Sequence, residues 1–438
     1  MNRFDVDLHP ATSGFTAQED AADQDTAPYI PDARECMTCG ACVSGCPTYK
    51  VRQHENFGPR GRVRLFERVL RRQEGLSDGE WQALDACTLC RACETICPSK
   101  MPYATLYRQT LEARESRARE PLVIRLLLGT LAQSGARQRA LGGLVTVIQA
   151  SGLQGLLNRL PVSTTRNGLG RMAKLLPATR LRRPAPRFSI TSAPTRRGRI
   201  DLFTGCIASA LDTATHHAAV KLLTRLGYDV GLLADQACCG AIHAHHGQAD
   251  EARASARRNI EAIAASRADR VLHSASGCGA FFSEYPSLLK GDATAAPSDM
   301  ASRVADIIDF LADNDALDTL RFRPLTARVV VHEPCSQRNV LRNQAAVYRL
   351  LDRIPGLDVT PLPGTNLCCG AGGTRMLTEP EIARPLRDDK VDAAEASEAD
   401  LVLSANLTCA LHLSSGLRER GLTTEVMHPV QLLANQLA

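Results

Sequence analysis

The stretch CMTCGACVSGCP at residues 36–47 arranges four cysteines as C-x₂-C-x₂-C-x₃-C-P, and CTLCRACETICP at residues 87–98 repeats this run. Two residues between cysteines let a short backbone loop wrap one corner of an iron–sulfur cubane, and the proline ends the loop. Zinc knots favour separated cysteine pairs and seldom need eight cysteines in two such runs. The runs therefore predict two [4Fe–4S] clusters in a helical, ferredoxin-like unit, with a helix over residues 63–72 between them.

The fourth cysteine of each run is predicted to bind the cluster of the other run, as in two-cluster ferredoxins. This crossing would bring the two clusters close enough to exchange electrons. Nearby arginines are expected to offset the negative charge of the thiolate-ligated clusters: Arg60, Arg62, Arg64 and Arg91. The predicted ligands are Cys36, Cys39, Cys42 and Cys97 for cluster 1, and Cys46, Cys87, Cys90 and Cys93 for cluster 2.

From Arg199 onward the chain repeats itself, and the cysteines show the repeat most clearly. The segment RLGYDVGLLADQACCGA at 225–241 returns as RIPGLDVTPLPGTNLCCGA at 353–371. Such a constant displacement predicts a duplicated domain. Cys206, Cys238, Cys239 and Cys278 recur as Cys335, Cys368, Cys369 and Cys409, displaced by 129, 130, 130 and 131 residues.

Each copy alternates short β-rich runs with helical patterns, which predicts a parallel sheet covered by helices. Cysteines follow the predicted strands, and ligands of open α/β sheets bind beyond the carboxyl ends of the strands. The eight repeat cysteines are therefore expected to converge. The predicted strands are RIDLF at 199–203, YDVGLL at 228–233, RVLHSA at 270–275, RVVVH at 328–332, LDVTPL at 357–362 and DLVLSA at 400–405, with helices over 250–266 and 379–397.

Adjacent cysteines such as Cys238-Cys239 can form a vicinal disulfide, remain buried thiols or bind metal. Four cysteines per repeat at matched strand ends favour a further iron–sulfur or metal centre. Gly240 and Gly370 are expected to relieve crowding where the backbone approaches a bulky cofactor. Histidines near these cysteines are weaker ligand candidates, with His412 first and His243, His245, His246 and His332 behind it.

The whole sequence predicts an α+β multi-domain protein, since 438 residues exceed one compact core. The basic stretch of the connector, from Arg166 to Arg199, is typical either of a solvated linker or of a docking surface for an acidic partner or anionic headgroups. The predicted units are a disordered tail over 1–30, the two-cluster ferredoxin-type domain over 31–110, a helical basic connector over 111–198, and cysteine-rich α/β domains over 199–318 and 319–438.

Composition, the N-terminal segment and the motifs argue against several classes of function. A net charge of +5 and a single Trp argue against nucleic-acid binding. The first thirty residues are acidic and have no apolar core, which predicts that the chain is not exported and stays in the cytoplasm. No nucleotide or flavin fingerprint is evident, because the partial match Gly168-Leu-Gly170 follows no apolar strand. Hydride chemistry would therefore require a partner subunit.

The paired ferredoxin runs, the GPRGR segment at Gly58 to Arg62 and the two CCG repeats with SGCGAF at Ser276 to Phe281 resemble the iron–sulfur subunit of bacterial glycolate oxidase. The resemblance covers the chain from about Asp32 to the end. CCG modules of the heterodisulfide-reductase type commonly finish in C-x-x-C, whereas this chain has Phe281 and His412 at the final positions. Because Phe281 cannot ligate, a five-thiolate cluster in the first repeat is not expected.

The resemblance implies a complex in which flavin-containing subunits oxidise glycolate to glyoxylate, as a dehydrogenase acting on the CH–OH group of a 2-hydroxy acid. This chain, with no flavin and no catalytic residue of its own, would pass electrons toward the quinone pool, peripherally bound at the inner face of the cytoplasmic membrane. Subunits of D-lactate and anaerobic glycerol-3-phosphate dehydrogenases, and heterodisulfide reductase, share this architecture. They remain alternatives, as does a zinc-organised scaffold.

Overall fold

The computed structural model describes residues 36–71, 75–114, 174–176, 185–291 and 298–438, together with four isolated positions. The predicted tail over 1–30 lies outside these ranges, as do most of the basic connector and the partial nucleotide fingerprint. Elements are numbered below in chain order within the described ranges.

Helices of the N-terminal unit pack around an aromatic core. The rings of Phe66 and Tyr103 meet edge to face with centroids 5.1 Å apart, and Tyr107 is fully buried beside them. The helix predicted over 63–72 is confirmed but begins at Pro59, because proline suits the first turn, where its missing N–H costs no hydrogen bond. The helices are α1 Pro47–Arg52, α2 Pro59–Leu70, α3 Asp78–Asp85, α4 Ala92–Ile96 and α5 Tyr103–Glu112, with 3₁₀ turns at Ala41–Val43 and Glu55–Phe57.

The first repeat is built on a five-stranded sheet in the order β1-β3-β2-β4-β5. Four strands are parallel, with Ile200 opposite Val230, while β1 pairs antiparallel at the edge. Buried β-branched and aliphatic residues fill the central strands, as expected for a sheet covered on both faces. The strands are β1 Phe188–Ser189, β2 Gly198–Phe203, β3 Tyr228–Leu232, β4 Arg270–His273 and β5 Val304–Asp306.

The second repeat has a wholly parallel sheet in the order β7-β6-β8-β9, which matches the order β3-β2-β4-β5 of the first. All six predicted strands and both long predicted helices are present, so the duplicated α/β fold is confirmed. Strands β1, β5 and β9 are not predictable from the sequence, because two or three residues are too few to show a strand pattern. The strands are β6 Ala327–His332, β7 Leu357–Pro361, β8 Leu401–Ser404 and β9 Glu425–Met427.

Helices cover both sheets. In the first repeat they are α6 Ile207–Leu211, α7 Thr213–Arg225, α8 Ala241–His245, α9 Ala249–Ala265, α10 Ser276–Phe282, α11 Tyr285–Leu288, α12 Ser298–Arg303 and α13 Ile307–Ala312, followed by a 3₁₀ turn at Asp315–Thr319. In the second they are a π-helical turn at Gln337–Leu341, α14 Gln344–Leu351, α15 Arg375–Thr378, α16 Pro380–Ala396, α17 Leu407–Glu419 and α18 Pro429–Gln436.

The two repeats share one hydrophobic core. Leu222 on α7 of the first repeat and Val430 on α18 of the second belong to the same buried cluster. At the carboxyl ends of the strands, the Ser276 N–H donates to the Ala405 carbonyl at 3.0 Å, and the Ser276 and Ser336 hydroxyls are 2.8 Å apart. The carboxyl ends of the two sheets therefore face each other across one cavity.

Candidate iron–sulfur and metal sites

Both ferredoxin runs fold into loops of the same shape. Thr38 and Leu89, two residues after the first cysteine of each run, have φ of 51° and 49°, and Gly40 and Arg91, two residues further on, have φ of 77° and 58°. Left-handed backbone is unfavourable for residues other than glycine and persists where the surrounding structure requires it. Each run is thus coiled tightly enough for its first three thiols to face one centre.

The first set of thiols lies around Cys42. Burial, together with the neighbouring thiols of Cys36, Cys97 and Cys39, raises the pKa of Cys42 to about 11. Cys97 comes from the other run, at the end of α4. Four thiols that disfavour one another's charge need a cation among them to ionise together.

The second set of thiols lies around Cys93 in the same way. Burial raises the pKa of the Cys93 thiol well above its usual range, and the thiols of Cys90, Cys87 and Cys46 add to this effect. Cys46 belongs to the first run and directly precedes α1. The fourth cysteine of each run therefore lies beside the three cysteines of the other run.

A cavity of about 300 Å³, including space open to solvent, is lined by Cys46, Cys87, Cys90 and Cys93 of the second set. The guanidinium of Arg62 also lines it and is 1% exposed. Its Nε donates to the Ala83 carbonyl at 2.8 Å, whereas its second terminal nitrogen has no hydrogen-bond partner among the described residues. A buried cation beside four thiols fits an anionic, thiolate-ligated cluster.

The other three arginines near the runs have different surroundings. Arg60 forms an ion pair with Glu55 at 2.7 Å, and Arg91 forms ion pairs with Glu94 and Glu284. Arg64 is exposed. Arg62 is therefore the one of the four arginines that is buried beside the thiols, while Arg91 also lines the cavity of the second set and Arg60 contacts the first loop through the Thr38 carbonyl.

The four cysteines of the first repeat converge at the carboxyl ends of its strands. The Sγ atoms of Cys206 and Cys238 are 3.3 Å apart, and Cys239 interacts with Cys278. The thiol of Cys238 and burial together raise the pKa of Cys206 well above its usual range. Tyr285 fixes the CC pair by donating its hydroxyl to the Cys239 carbonyl at 2.8 Å.

The cysteines of the second repeat also converge, and they do so around a histidine. The Sγ atoms of Cys335 and Cys368 are 4.0 Å apart. The ligand atoms of His332, Cys369 and Cys409 all lie within 4.8 Å of one another, and all three residues are buried. A hydrogen bond with Cys369 lowers the pKa of Cys409 to about 6, and the nearby His332 also lowers it.

Gly240 and Gly370 lie where the backbone turns against a helix. Both have left-handed φ, 94° and 85°, so each turns the chain directly after its CC pair. A Cβ at Gly370 would lie 2.6 Å from the Ala383 carbonyl oxygen on α16, and one at Gly240 would lie 3.1 Å from the Ala252 carbonyl oxygen on α9. These glycines therefore allow close helix packing, and their expected role beside a cofactor stays a prediction.

The candidate histidines occupy distinct surroundings. His243 pairs with Gln248 at 2.6 Å, and His246 with Thr374 at 2.7 Å. His245 lines the cavity between the repeats, where burial lowers its pKa to about 3. The Nε2 atom of His412 lies 3.2 Å from the Ala383 carbonyl oxygen. Among these five histidines, His332 is the one whose nitrogen lies within a cluster of thiols.

The cavity between the repeats has a volume of about 1200 Å³, including space open to solvent. Its wall combines apolar side chains such as Phe203, Ile207 and Phe281 with residues of the second ferredoxin run. Cysteines of both repeats contribute: Cys206, Cys238, Cys239, Cys278, Cys335, Cys368 and Cys409.

Two residues that sequence reasoning missed join the ferredoxin unit to the repeats. Asn339 donates through Nδ2 to the Cys90 carbonyl at 2.7 Å. Arg375, 5% exposed, donates to the Cys87 carbonyl at 3.3 Å and to the Tyr107 hydroxyl at 3.0 Å. No local pattern marks either residue, because their partners are more than 240 positions away. The second ferredoxin run thus lies directly against the second repeat.

Within the described ranges, none of the helices combines the length and the apolar character needed to cross a bilayer.

Known proteins resemble this chain over most of its length. The family model of the 4Fe-4S dicluster domain matches residues 32–101, and that of the cysteine-rich domain matches 200–283 and 329–414. The glycolate oxidase iron-sulfur subunit of Escherichia coli (strain K12) is 33% identical over 414 residues, which cover 92% of this chain and 94% of that protein.

Two further relatives extend the comparison. The probable glycolate oxidase iron-sulfur subunit of Bacillus subtilis (strain 168) is 32% identical, over 91% of this chain and 92% of that protein. The lactate utilization protein A of Macrococcus caseolyticus (strain JCSC5402) is 28% identical over 55% of this chain and 97% of its own length. With its dicluster unit and both cysteine-rich repeats matched, the chain belongs to the family of glycolate oxidase iron–sulfur subunits.

Proposed function

We propose that this chain relays electrons within a glycolate oxidase complex. Flavin-containing partner subunits oxidise glycolate to glyoxylate, and the electrons leave through two [4Fe–4S] clusters toward the quinone pool at the inner face of the cytoplasmic membrane. The observation that carries the proposal is the interlocking of the two thiol sets, in which Cys97 lies beside Cys42 and Cys46 beside Cys93.

We further propose the ligand sets and the division into domains given by the sequence. The loops of matching left-handed backbone and the cavity bordered by the second set support cubanes at these positions. When bound, each cluster accepts and releases one electron at a time. The ligands are Cys36, Cys39, Cys42 and Cys97 for one cluster and Cys46, Cys87, Cys90 and Cys93 for the other; the domains are 1–30, 31–110, 111–198, 199–318 and 319–438.

The protein side chains hold the thiols and set their electrostatics. Burial alone would lower the pKa of Arg62, but Tyr103 and the thiols of Cys87 and Cys46 hold it above its usual range. A permanent positive charge at this place favours the reduced, more negative cluster. The Tyr103 hydroxyl lies 3.6 Å from the Cys87 sulfur and adds a polar contact there.

The repeats are proposed to hold a further iron–sulfur or metal centre. Their thiols meet in pairs, Cys206 with Cys238 and Cys335 with Cys368, and they line a cavity shared with the second ferredoxin run. With that arrangement, a partner subunit or an electron acceptor could bind at the repeats next to cluster 2.

A related substrate is a second candidate, because one relative is named a lactate utilization protein. D-lactate and glycolate are both 2-hydroxy acids, and the flavin subunit would decide between them. Anaerobic glycerol-3-phosphate dehydrogenase is a more distant alternative. The relay itself would be the same in all three complexes.

A thiol or disulfide reductase is a third candidate, favoured by the cavity of about 1200 Å³ lined by thiols from both repeats. In such an enzyme the repeats would be the reaction site. Cys238→Ser and Cys369→Ser variants that assemble normally but lose disulfide reduction would support it.

The relay is tested by preparing the chain anaerobically with and without its flavin partners. Mixing the complex with glycolate should reduce both clusters, seen as cubane EPR signals. The isolated chain should show the same signals with dithionite and none with glycolate. D-lactate and glycerol 3-phosphate serve as comparison substrates.

Oxidation of glycolate by the isolated, flavin-free chain would contradict the relay. So would a complex that oxidises glycolate while both clusters stay oxidised, because the electrons would then take another route.

A further inference from the structure

The two repeats differ at one position that matters for metal binding. Three residues before the first cysteine of each repeat, β2 ends in Phe203 and β6 ends in His332. Phe203 packs on Phe282 with ring centroids 4.9 Å apart, inside an apolar cluster. At this position the second repeat therefore has a nitrogen donor and the first repeat has none.

His332 is buried without the contacts that a buried imidazole needs. It is 1% exposed, and apart from a contact with the Cys409 thiol its ring nitrogens have no hydrogen-bond partner among the described residues. An imidazole taken out of water in this way loses its hydration and regains little, unless a ligand replaces the water. A metal ion is such a ligand, and the nearby side chains that could bind it together with His332 are those of Cys369 and Cys409.

The spacing of these three residues fits one metal ion. Their ligand atoms all lie within 4.8 Å of one another. In a tetrahedral zinc site, with Zn–S about 2.3 Å and Zn–N about 2.0 Å, ligand atoms are about 3.5–3.8 Å apart, a change that small side-chain shifts supply. A cubane instead needs its thiolates spread over separate irons.

We propose that the second repeat binds a single thiophilic divalent ion of the zinc class through His332, Cys369 and Cys409. Cys409 lines the cavity together with Cys335 and Cys368, so the fourth position would be open to that cavity. Cys369 and Cys409 would bind the ion as thiolates, any proton that they still carry would leave to solvent, and no electron moves.

This proposal specifies the metal and the ligands of the further centre proposed for the repeats. It does not depend on the electron relay. Zinc has no redox chemistry, so the relay would end at the second ferredoxin cluster, whose Cys90 carbonyl is held by Asn339 of the second repeat. The ion would then fix the wall of the second repeat against that cluster.

The test is metal analysis of the full-length chain, purified anaerobically with its clusters and equilibrated with zinc(II). The wild type should carry about eight irons from two cubanes and one zinc. The His332→Phe variant copies the first repeat and should bind zinc at least about tenfold more weakly than the wild type. Losing even a hydrogen-bond partner of a metal ligand commonly costs about 10–100-fold in metal affinity. The variant's iron and its cubane EPR signals should be unchanged.

His412→Phe is the matched control, because His412 is equally buried and lies beside Ala383 rather than the thiols. It should keep its zinc. Zinc-edge X-ray absorption of the wild type gives a readout that needs no variant, and it should show one nitrogen donor together with sulfur. Wild type without zinc, all-sulfur coordination, zinc retained in His332→Phe, or extra iron lost in that variant would each overturn the proposal.

Discussion

At the scale of single residues, one cysteine of each run would decide where each proposed cluster is held. Cys97 lies with Cys36, Cys39 and Cys42, although it belongs to the second run. Cys46 lies with Cys87, Cys90 and Cys93, although it belongs to the first. The ligand sets that follow from this arrangement can be separated by counting iron in paired variants.

We expect Cys36→Ser with Cys97→Ser to remove about four irons, no more than either change alone, because both residues serve one cluster. Cys87→Ser with Cys97→Ser should remove about eight, even though both cysteines belong to one run. Iron analysis and EPR of the anaerobically prepared protein measure the iron lost by each double variant. Ser44→Ala, which removes a hydrogen bond to the Ala41 carbonyl within the first loop, is the control and should keep all iron.

If Cys87→Ser with Cys97→Ser lost only half of the iron, each run would hold its own cluster and the crossed assignment would be wrong.

Arg62 is the charged residue expected to tune the second cluster. Its guanidinium is buried beside Cys46 and Cys87, so Arg62→Gln should make the cluster harder to reduce. A loss of about 1.4 kcal/mol in attraction corresponds to about 60 mV, toward more negative potential. Redox titration followed by EPR measures the shift. Arg64→Gln on the same helix is the control, because Arg64 is exposed; equal shifts in both variants would exclude a specific role for Arg62.

At the scale of elements, the turn after each CC pair packs closely against a helix of the same repeat. Gly370 has φ 85°, and α16 packs so closely that a Cβ would lie 2.9 Å from the Ala383 Cα. The Gly370 N–H also donates to the Cys368 sulfur at 3.4 Å. This turn sets both the position of the thiols and the packing of the helix.

Gly370→Ala should lower the free energy of unfolding by about 2–4 kcal/mol, since it combines left-handed strain with a steric clash. Gly421→Ala separates the two effects, because Gly421 has φ 73° and a Cβ added there would meet no heavy atom of the described residues within 4 Å. It should cost about 1–2 kcal/mol. Denaturant unfolding followed by circular dichroism gives both values, and equal costs would show that the close packing contributes nothing.

At the scale of the whole molecule, the ferredoxin unit is fixed to both repeats by charged groups as well as by packing. Glu284 of the first repeat accepts from Arg108 at 2.5 Å and from Arg91 at 3.2 Å, and its side chain is 17% exposed. Lys50 pairs with Asp389 of the second repeat at 2.5 Å. These contacts hold the second ferredoxin run at the cavity between the repeats.

Glu284→Gln should destabilise the folded chain by about 1–3 kcal/mol, because it leaves the buried Arg108 without its carboxylate and leaves Arg91 with Glu94 alone. Glu112→Gln breaks a more exposed pair with Arg253, also between the ferredoxin unit and the first repeat, and should cost less than about 1 kcal/mol. Urea unfolding curves of the two variants test the difference. A Glu284→Gln curve that overlays the wild type would mean that packing alone holds the units together.

The sequence by itself determined the two cysteine runs, the duplication and the α/β class of the repeats. These features depend on short spacings and on periodicity, which local sequence records. The six predicted strands are confirmed for that reason, whereas the brief strands β1, β5 and β9 have no readable pattern. The crossed ligand sets stay a prediction, for which the neighbours of Cys42 and Cys93 now give support.

Only the tertiary structure decided which distant side chains meet. It buries Arg62 beside the thiols while leaving Arg64 exposed on the same helix, and it brings His332 rather than His412 to Cys369 and Cys409. A comparison of His332 with Phe203 was available in the sequence, but it could not show that β6 ends against those thiols. Contacts of this kind depend on how whole elements pack, and no short stretch of sequence specifies that.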